Sequence, residues 1–336
     1  MLDISNTGIA DVVPPAFWKL FSQFSYLNFS HNQIYGEIPN ILMILSIRAI
    51  RIDMNSNHFK GSLPYIPSNV SFLDLSNNLL FGSLSHFLCY KMNEPKRMQY
   101  LNLVNNLLSR EINDCWMMWQ SLSDLNLGSN SFNGSIPASF GFLVSLKYLH
   151  LDNNKFSQKL PSSLKNCTNL VIIDISKNEF AGSIPSWMGR LSSLVILSLR
   201  SNNFHSYIPK ELCSLASLQV LDLSHNKLLG SIPRCVNNFN AMSLMPTYDN
   251  SNDHFVTFMQ PIGSSPKPFE SGLVVIKGEL LEYSTTLQLV KIIDFSDNSL
   301  SGEIPKELTV LQGLQSLNFS FNILTRRILE NIDDMR

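Results

Sequence analysis

Short alternations of apolar and polar residues recur along the chain at a nearly constant interval. In Leu125-Asn126-Leu127 the two leucines share one face of an extended segment, and Asn126 and Gly128 face the other way. Asn130 follows, then Phe132, Gly134, Ile136 and Pro137. The same order returns around Asn154, Asn178, Asn202 and Asn226, each 24 residues after the last, and again around Asn298 and Asn322. Upstream it is found at Asn32, Asn57, Asn78 and Asn106, and residues 1–9 supply a twelfth unit with Thr7 in the Asn position. A fixed period of this length is the mark of a repeat architecture.

Each position in the unit has a physical task. The leucines form the inner face of a short strand, and strands stacked about 4.8 Å apart make a parallel sheet. The Asn turns the chain, its amide bonding backbone groups that the turn leaves unpaired. Gly134 permits a positive φ, and Pro137 sets an extended start to the return segment. Arg110, Gln158 and Ser206 stand where other units have Gly, and strain of roughly 1 kcal/mol or more is expected there. One unit cannot bury its apolar side alone, so neighbours must stack into a one-dimensional solenoid. The two domains that 336 residues would suggest are therefore not expected.

The pattern resembles the plant-specific class of extracellular leucine-rich repeats. Gly182-Ser183-Ile184-Pro185, Gly230-Ser231-Ile232-Pro233 and Gly302-Glu303-Ile304-Pro305 match the second half of its motif. The resemblance implies an α/β-type repeat solenoid, a curved superhelix with a parallel β-sheet on the concave face and 3₁₀ or irregular segments on the convex side. Between Asn226 and Asn298 the repeat is interrupted. Residues 236–286 contain Tyr248, a Pro- and Ser-rich loop at 263–268, and a predicted strand over Leu273–Gly278. Loops of this length are usually functional or disordered. The segment resembles the island domain of plant leucine-rich-repeat receptor-like proteins, through Lys277-Gly278 and Glu282-Tyr283. The expected organisation is repeats over 1–235, an island over 236–286 and repeats over 287–336. The resemblance implies that Tyr248, Lys277, Gly278 and Tyr283 help form a ligand and co-receptor surface.

Composition narrows the function. Charged residues make up only 15%, with 25 basic against 26 acidic, and 34 Asn and 46 Ser take their place. Such a balance argues against a nucleic-acid partner and against attraction to an anionic membrane. The apolar run at 41–50 is interrupted by Ser46 and Arg48 and is too short to span a bilayer, and residues 1–6 do not have the pattern of a secretory leader, so neither is expected in these stretches. No phosphate loop, His-Glu-x-x-His, Cys-x-x-Cys or Gly-x-Ser-x-Gly is present, so neither an enzyme nor a cofactor is expected.

Cys89 and Cys115, and Cys213 and Cys235, are each spaced by about one unit, so disulfides across adjacent coils are one reading, and five reduced core cysteines the other. Sequons occur at Asn28, Asn69, Asn133, Asn166 and Asn318, a number that chance alone would supply. Outward strand positions lie six, four and two residues before the ladder Asn. They hold mostly Asp or Asn and Ser, but three units depart from this. Tyr148, His150, Asp152, Lys177, Ser198 and Arg200 form the candidate concave ligand site, Tyr and Arg being common interface anchors.

The favoured reading is part of the ectodomain of a plant cell-surface receptor-like protein. It binds a peptide, glycan or protein ligand and works through leucine-rich-repeat receptor kinase co-receptors, at the extracellular face of the plasma membrane by resemblance. No membrane contact by this chain itself is expected. Alternatives are a secreted inhibitor similar to the polygalacturonase-inhibiting proteins, against which the interruption counts, and a receptor fragment without function. The fragment reading expects damaged repeats and missing caps, as at Arg326 and at the end, Asp333-Asp334-Met335-Arg336.

Overall fold

The computed structural model describes residues 1–20, 23–40, 49–244, 272–276, 279–283 and 290–325. Twelve short strands, from Leu2–Asp3 to Ser316–Asn318, form one parallel sheet in chain order. The register is the repeat period itself: Leu125 lies opposite Leu101 on one side and Leu149 on the other. The strand Val220–Asp222 pairs directly with Ile292–Asp294, so the 72-residue gap in the pattern leaves the sheet unbroken. The described chain keeps to the coil as far as Leu244, with Val236, Phe239 and Met242 buried and the Gly313 amide donating to the Met242 carbonyl. Gly313 is needed there, because a Cβ would stand 2.0 Å from the Leu244 carbonyl oxygen.

The Asn ladder joins the coils. Asn154 Nδ2 donates to the carbonyls of Leu127, Leu151 and Asp152, while its Oδ1 accepts the amide of Phe132. Asn178 and Asn202 repeat the arrangement one and two coils on. One side chain thus satisfies groups on two coils at a turn where water has little access. The residue before the ladder Asn adopts a left-handed backbone in each coil, as at Ser129, Asn153, Lys177 and Ser201.

Beyond the ladder lies a feature that the repeat pattern did not suggest. The residues after each Asn form a second parallel sheet of eleven strands, from Tyr35–Glu37 to Ile323–Leu324. Phe132, Phe156, Phe180 and Phe204 point inward from it and stack at 6.0, 5.9 and 6.4 Å between centroids. All four are buried. Each strand of this sheet ends near a left-handed residue, which is Gly134 (φ 73°) or Gly182 (φ 92°) in some coils and Arg110 (φ 77°), Gln158 (φ 70°) or Ser206 (φ 76°) in others. From Ala138–Phe142 to Lys306–Val310 the convex side is a row of 3₁₀ turns, most of them entered from an extended Pro.

The structure joins Cys89 to Cys115 and Cys213 to Cys235, with Cα–Cα distances of 5.3 and 5.7 Å, each between neighbouring coils. Closing loops of this size contributes on the order of 3 kcal/mol. Cys167 is free and buried. Around the first bridge Phe87, Trp119, Trp116 and Phe140 pack in sequence at 5.4, 5.7 and 4.8 Å.

Candidate functional site on the concave face

The concave sheet presents two kinds of coil. In ten of the twelve, the Asp or Asn four residues before the ladder position accepts the backbone amide of the residue two further on. Where that residue is Ser, its hydroxyl often donates to the same oxygen, as Ser224 does to Asp222 at 2.6 Å. The recurring Asp is thus a turn cap, consumed by the fold. The recurring Asp-x-Ser pair was the signal in the sequence.

Two coils abandon the cap. His150 and Asp152 replace the pair in the Asn154 coil, and Ser198 and Arg200 replace it in the Asn202 coil. Between them lies Asp174, which caps Ser176 at 3.0 Å. Strand register sets His150 beside Asp174, and Asp174 beside Ser198. One ligand atom each of His150, Asp152 and Asp174 lies within 4.8 Å of the others. Room for Asp152 comes from the preceding coil, because a Cβ on Gly128 would stand 2.5 Å from Asp152 Oδ1. On the other flank Arg200 Nη1 donates to Ser224 Oγ at 3.0 Å and lies 3.8 Å from Asp222 Oδ2.

Charge is under strain on this face. Burial, then the neighbouring Asp174, pushes the Asp152 carboxyl up to about 7, against its own backbone amide and Lys177. Burial lowers His150, with Asp174 acting in the opposite sense. Asp222 is pushed up to about 6 by burial in spite of its bonds to Ser224, and Asp294 adds to the rise.

The structure corrects parts of the sequence reading. Tyr148 is not an open anchor: it is 8% exposed and belongs to an apolar cluster with Ile172, Ile196, Val220 and Ile292, because the residue six before the ladder is crowded by the strands on either side. Ser198 is likewise buried. Lys177 is exposed, but it is the left-handed residue at the turn and so stands at the rim, off the strand. His150, Asp152 and Arg200 remain partly open.

The sequons differ in accessibility. Asn28 and Asn69 are 8% and 9% exposed, and the Asn28 amide nitrogen donates to Asp3 and Tyr26, so a glycan on Asn28 would have to displace these bonds. Asn318 is half-buried and donates to Asp294, whereas Asn133 and Asn166 are exposed. Of the expected island surface, Tyr248, Lys277 and Gly278 lie outside the described residues. Tyr283 ends a strand, Glu279–Tyr283, that pairs antiparallel with Gly272–Ile276 and places it opposite Gly272. Among the described residues no helix is long and apolar enough to cross a membrane.

A stacked parallel sheet, an Asn ladder and a 3₁₀ back define a leucine-rich-repeat solenoid, and models of the leucine-rich repeat match residues 96–156, 161–228 and 290–311. Similar sequences are plant receptor-like proteins. Receptor-like protein EIX2 of Solanum lycopersicum is 39% identical over 126 residues, 38% of this chain and 12% of that protein. Receptor-like protein 54 of Arabidopsis thaliana is 34% identical over 137 residues, 40% of this chain and 17% of that protein. The alignments therefore span less than a fifth of these relatives. Among solved structures, the ectodomain of the Arabidopsis receptor kinase HAESA, in complex with an extended IDA peptide hormone, has a TM-score of 0.76 at 27% identity, covering 99% of this chain and 47% of that one. HAESA in complex with IDA and the co-receptor SERK1 gives 0.67 at 27%, covering 95% and 53%. The chain is thus a leucine-rich-repeat solenoid whose sequence is similar to segments of plant receptor-like proteins.

Proposed function

We propose that this chain is a non-catalytic recognition module, part of the extracellular region of a plant cell-surface receptor. Its concave face takes a peptide or a protein segment laid across the strands from the Asn154 coil to the Asn226 coil. The observation that carries this reading is the loss of the turn cap at two nearby coils. There His150, Asp152 and Arg200 are released from a task that the fold assigns to their counterparts elsewhere. A cation beside partly open acidic groups suits an extended peptide with charges of both signs. The likeness to an ectodomain that holds a peptide hormone supports the choice of ligand class. Repeats over 1–235 and 287–336 form the scaffold, and the intervening segment with Tyr283 contributes to contact with a receptor-kinase co-receptor.

The reading is tested by panning a random peptide display library on the disulfide-bonded chain. Selected peptides are expected to bind Arg200→Ala at least about tenfold more weakly, a loss of about 1.4 kcal/mol. A selection that yields only binders indifferent to Arg200→Ala and Asp152→Ala would place the ligand elsewhere.

A further inference from the structure

We propose that Asn166 carries an N-linked glycan, and that Phe142 and Val144 of the preceding coil form the apolar shelf on which its first N-acetylglucosamine lies. This site requires the extracellular placement proposed above but no particular ligand. Asn166-Cys167-Thr168 is an acceptor triplet. Asn166 ends the 3₁₀ turn Ser162–Asn166, and both Asn166 and Thr168 are exposed. Cys167 between them is buried, and its Sγ donates to the Phe140 carbonyl at 3.3 Å, which holds the triplet with Asn166 and Thr168 outward. In the transfer, Asn166 Nδ2 attacks C1 of a lipid-pyrophosphate-linked oligosaccharide. The N–C1 bond forms, the C1–O bond to the pyrophosphate breaks, and Nδ2 gives up one proton as the lipid pyrophosphate leaves.

The neighbouring coil supplies the observation that selects Asn166 among the sequons. Phe142 and Val144 are 50% and 48% exposed. Phe142 ends its turn at the place where the next four turns end in Asn166, Arg190, Ser214 and Asn238. Asn169 Nδ2 donates to the Val144 carbonyl at 2.8 Å, and a Cβ on Gly141 would stand 2.7 Å from the Ser163 carbonyl oxygen, so residues 163–169 lie against residues 140–144. An exposed Phe and Val side by side keep apolar surface in water unless something covers them. The first sugar of an N-glycan suits that surface. Its ring C–H bonds and acetyl methyl are apolar and pack against the negative face of an aromatic ring, while its hydroxyls stay in water. The other exposed sequon has different neighbours: strand register sets Asn133 between Glu111 and Lys155, both charged and exposed. At Asn28 and Asn318 the amide nitrogen is already a donor, to Asp3 and to Asp294.

The test uses the full chain, sent through the secretory pathway of plant cells by an added signal peptide. The compartment is then imposed, so an empty Asn166 counts against the site and not against the extracellular placement. Mass spectrometry of glycopeptides is expected to find sugar on Asn166. After trimming to the first N-acetylglucosamine, hydroxyl-radical footprinting compares this chain with Thr168→Ala, which loses only the acceptor triplet. Oxidation of Phe142 is expected to be at least about halved under the sugar, since one face of the ring is covered. Phe81, 53% exposed on the second sheet, should react equally in both chains. Should Thr168→Ala misfold, Asn166→Gln takes its place. An unoccupied Asn166 overturns the site. Equal oxidation of Phe142 with and without the sugar overturns the shelf, and slow oxidation in both would assign Phe142 to a contact between copies of the chain.

Discussion

The inner turn and the concave strand of each coil are built from the same polar residue types, yet they tolerate change very differently. At the turn, Asn57, Asn78, Asn106 and their successors make the same set of backbone contacts, two coils at a time. On the strand, the Asp or Asn cap accepts one backbone amide, that of its own coil, and bonds side chain to side chain with a neighbouring coil only in places, as Asp74 does with Asn102; two coils do without it. A residue that satisfies groups on two coils cannot be exchanged without exposing both. A residue that satisfies one amide can be given up where another use exists. The concave face is therefore where chemistry can differ from coil to coil, and His150, Asp152 and Arg200 occupy that freedom.

Breaking the ladder has the largest expected effect. Asn178→Ala removes the donor to Leu151, Ile175 and Ser176 and the acceptor of the Phe156 amide. At about 1–3 kcal/mol for each buried group left unsatisfied, a loss of roughly 3 kcal/mol or more is expected, read as a fall in the thermal midpoint. A loss below about 1 kcal/mol would erase the distinction between the two edges of the coil.

Proton linkage probes the buried carboxyls of the concave face. Burial raises Asp53, Asp124 and Asp222 to about 6, from an ordinary 3.8. Asp74 adds to the rise at Asp53 and Asp294 to that at Asp222, while Lys147 and Arg200 oppose at Asp124 and Asp222. A raised carboxyl binds its proton more tightly folded than unfolded. Its charge therefore destabilises the fold above pH 6, and stability returns as pH falls through 6. Between pH 7.5 and 5 each of the three is expected to contribute roughly 1 kcal/mol in this direction. His150 works the other way, because burial lowers it and the unfolded chain protonates first. Thermal midpoints should rise from pH 7.5 to pH 5, and the rise should shrink in Asp222→Asn. A midpoint that falls over this window would mean that these carboxyls are not desolvated as the structure has them.

The ladder and the first sheet were legible because their signal is repeated twelve times at one offset. The second sheet was not. A strand such as Lys155–Gln158 is four residues long with one buried side chain, Phe156, and so carries too little alternation to be read. Burial on the concave side was also hidden: Tyr148 and Asn28 lie at outward positions, yet strands on either side cover them. The Asp-x-Ser pair was visible as a regular surface feature, but its role as a cap required the hydrogen bonds. Once that role is known, the sequence itself singles out His150 with Asp152 and Ser198 with Arg200.

The smallest expected effect restores what the Asn202 coil gave up. In ten coils an Asp or Asn oxygen accepts the amide two residues on, as Asn102 does from Val104 at 3.1 Å and Asn126 from Gly128 at 2.9 Å. Ser198 is too short to repeat this, and the Arg200 amide has no such acceptor among the described residues. Ser198→Asn should supply it, and the new amide nitrogen can donate to the second oxygen of Asp174 as Asn102 donates to Asp74. A gain of about 0.5–1.5 kcal/mol is expected, the net value of one hydrogen bond, read as a raised thermal midpoint. A loss of stability on Ser198→Asn would mean that crowding at this buried position, and not release from the cap, explains why the coil holds Ser.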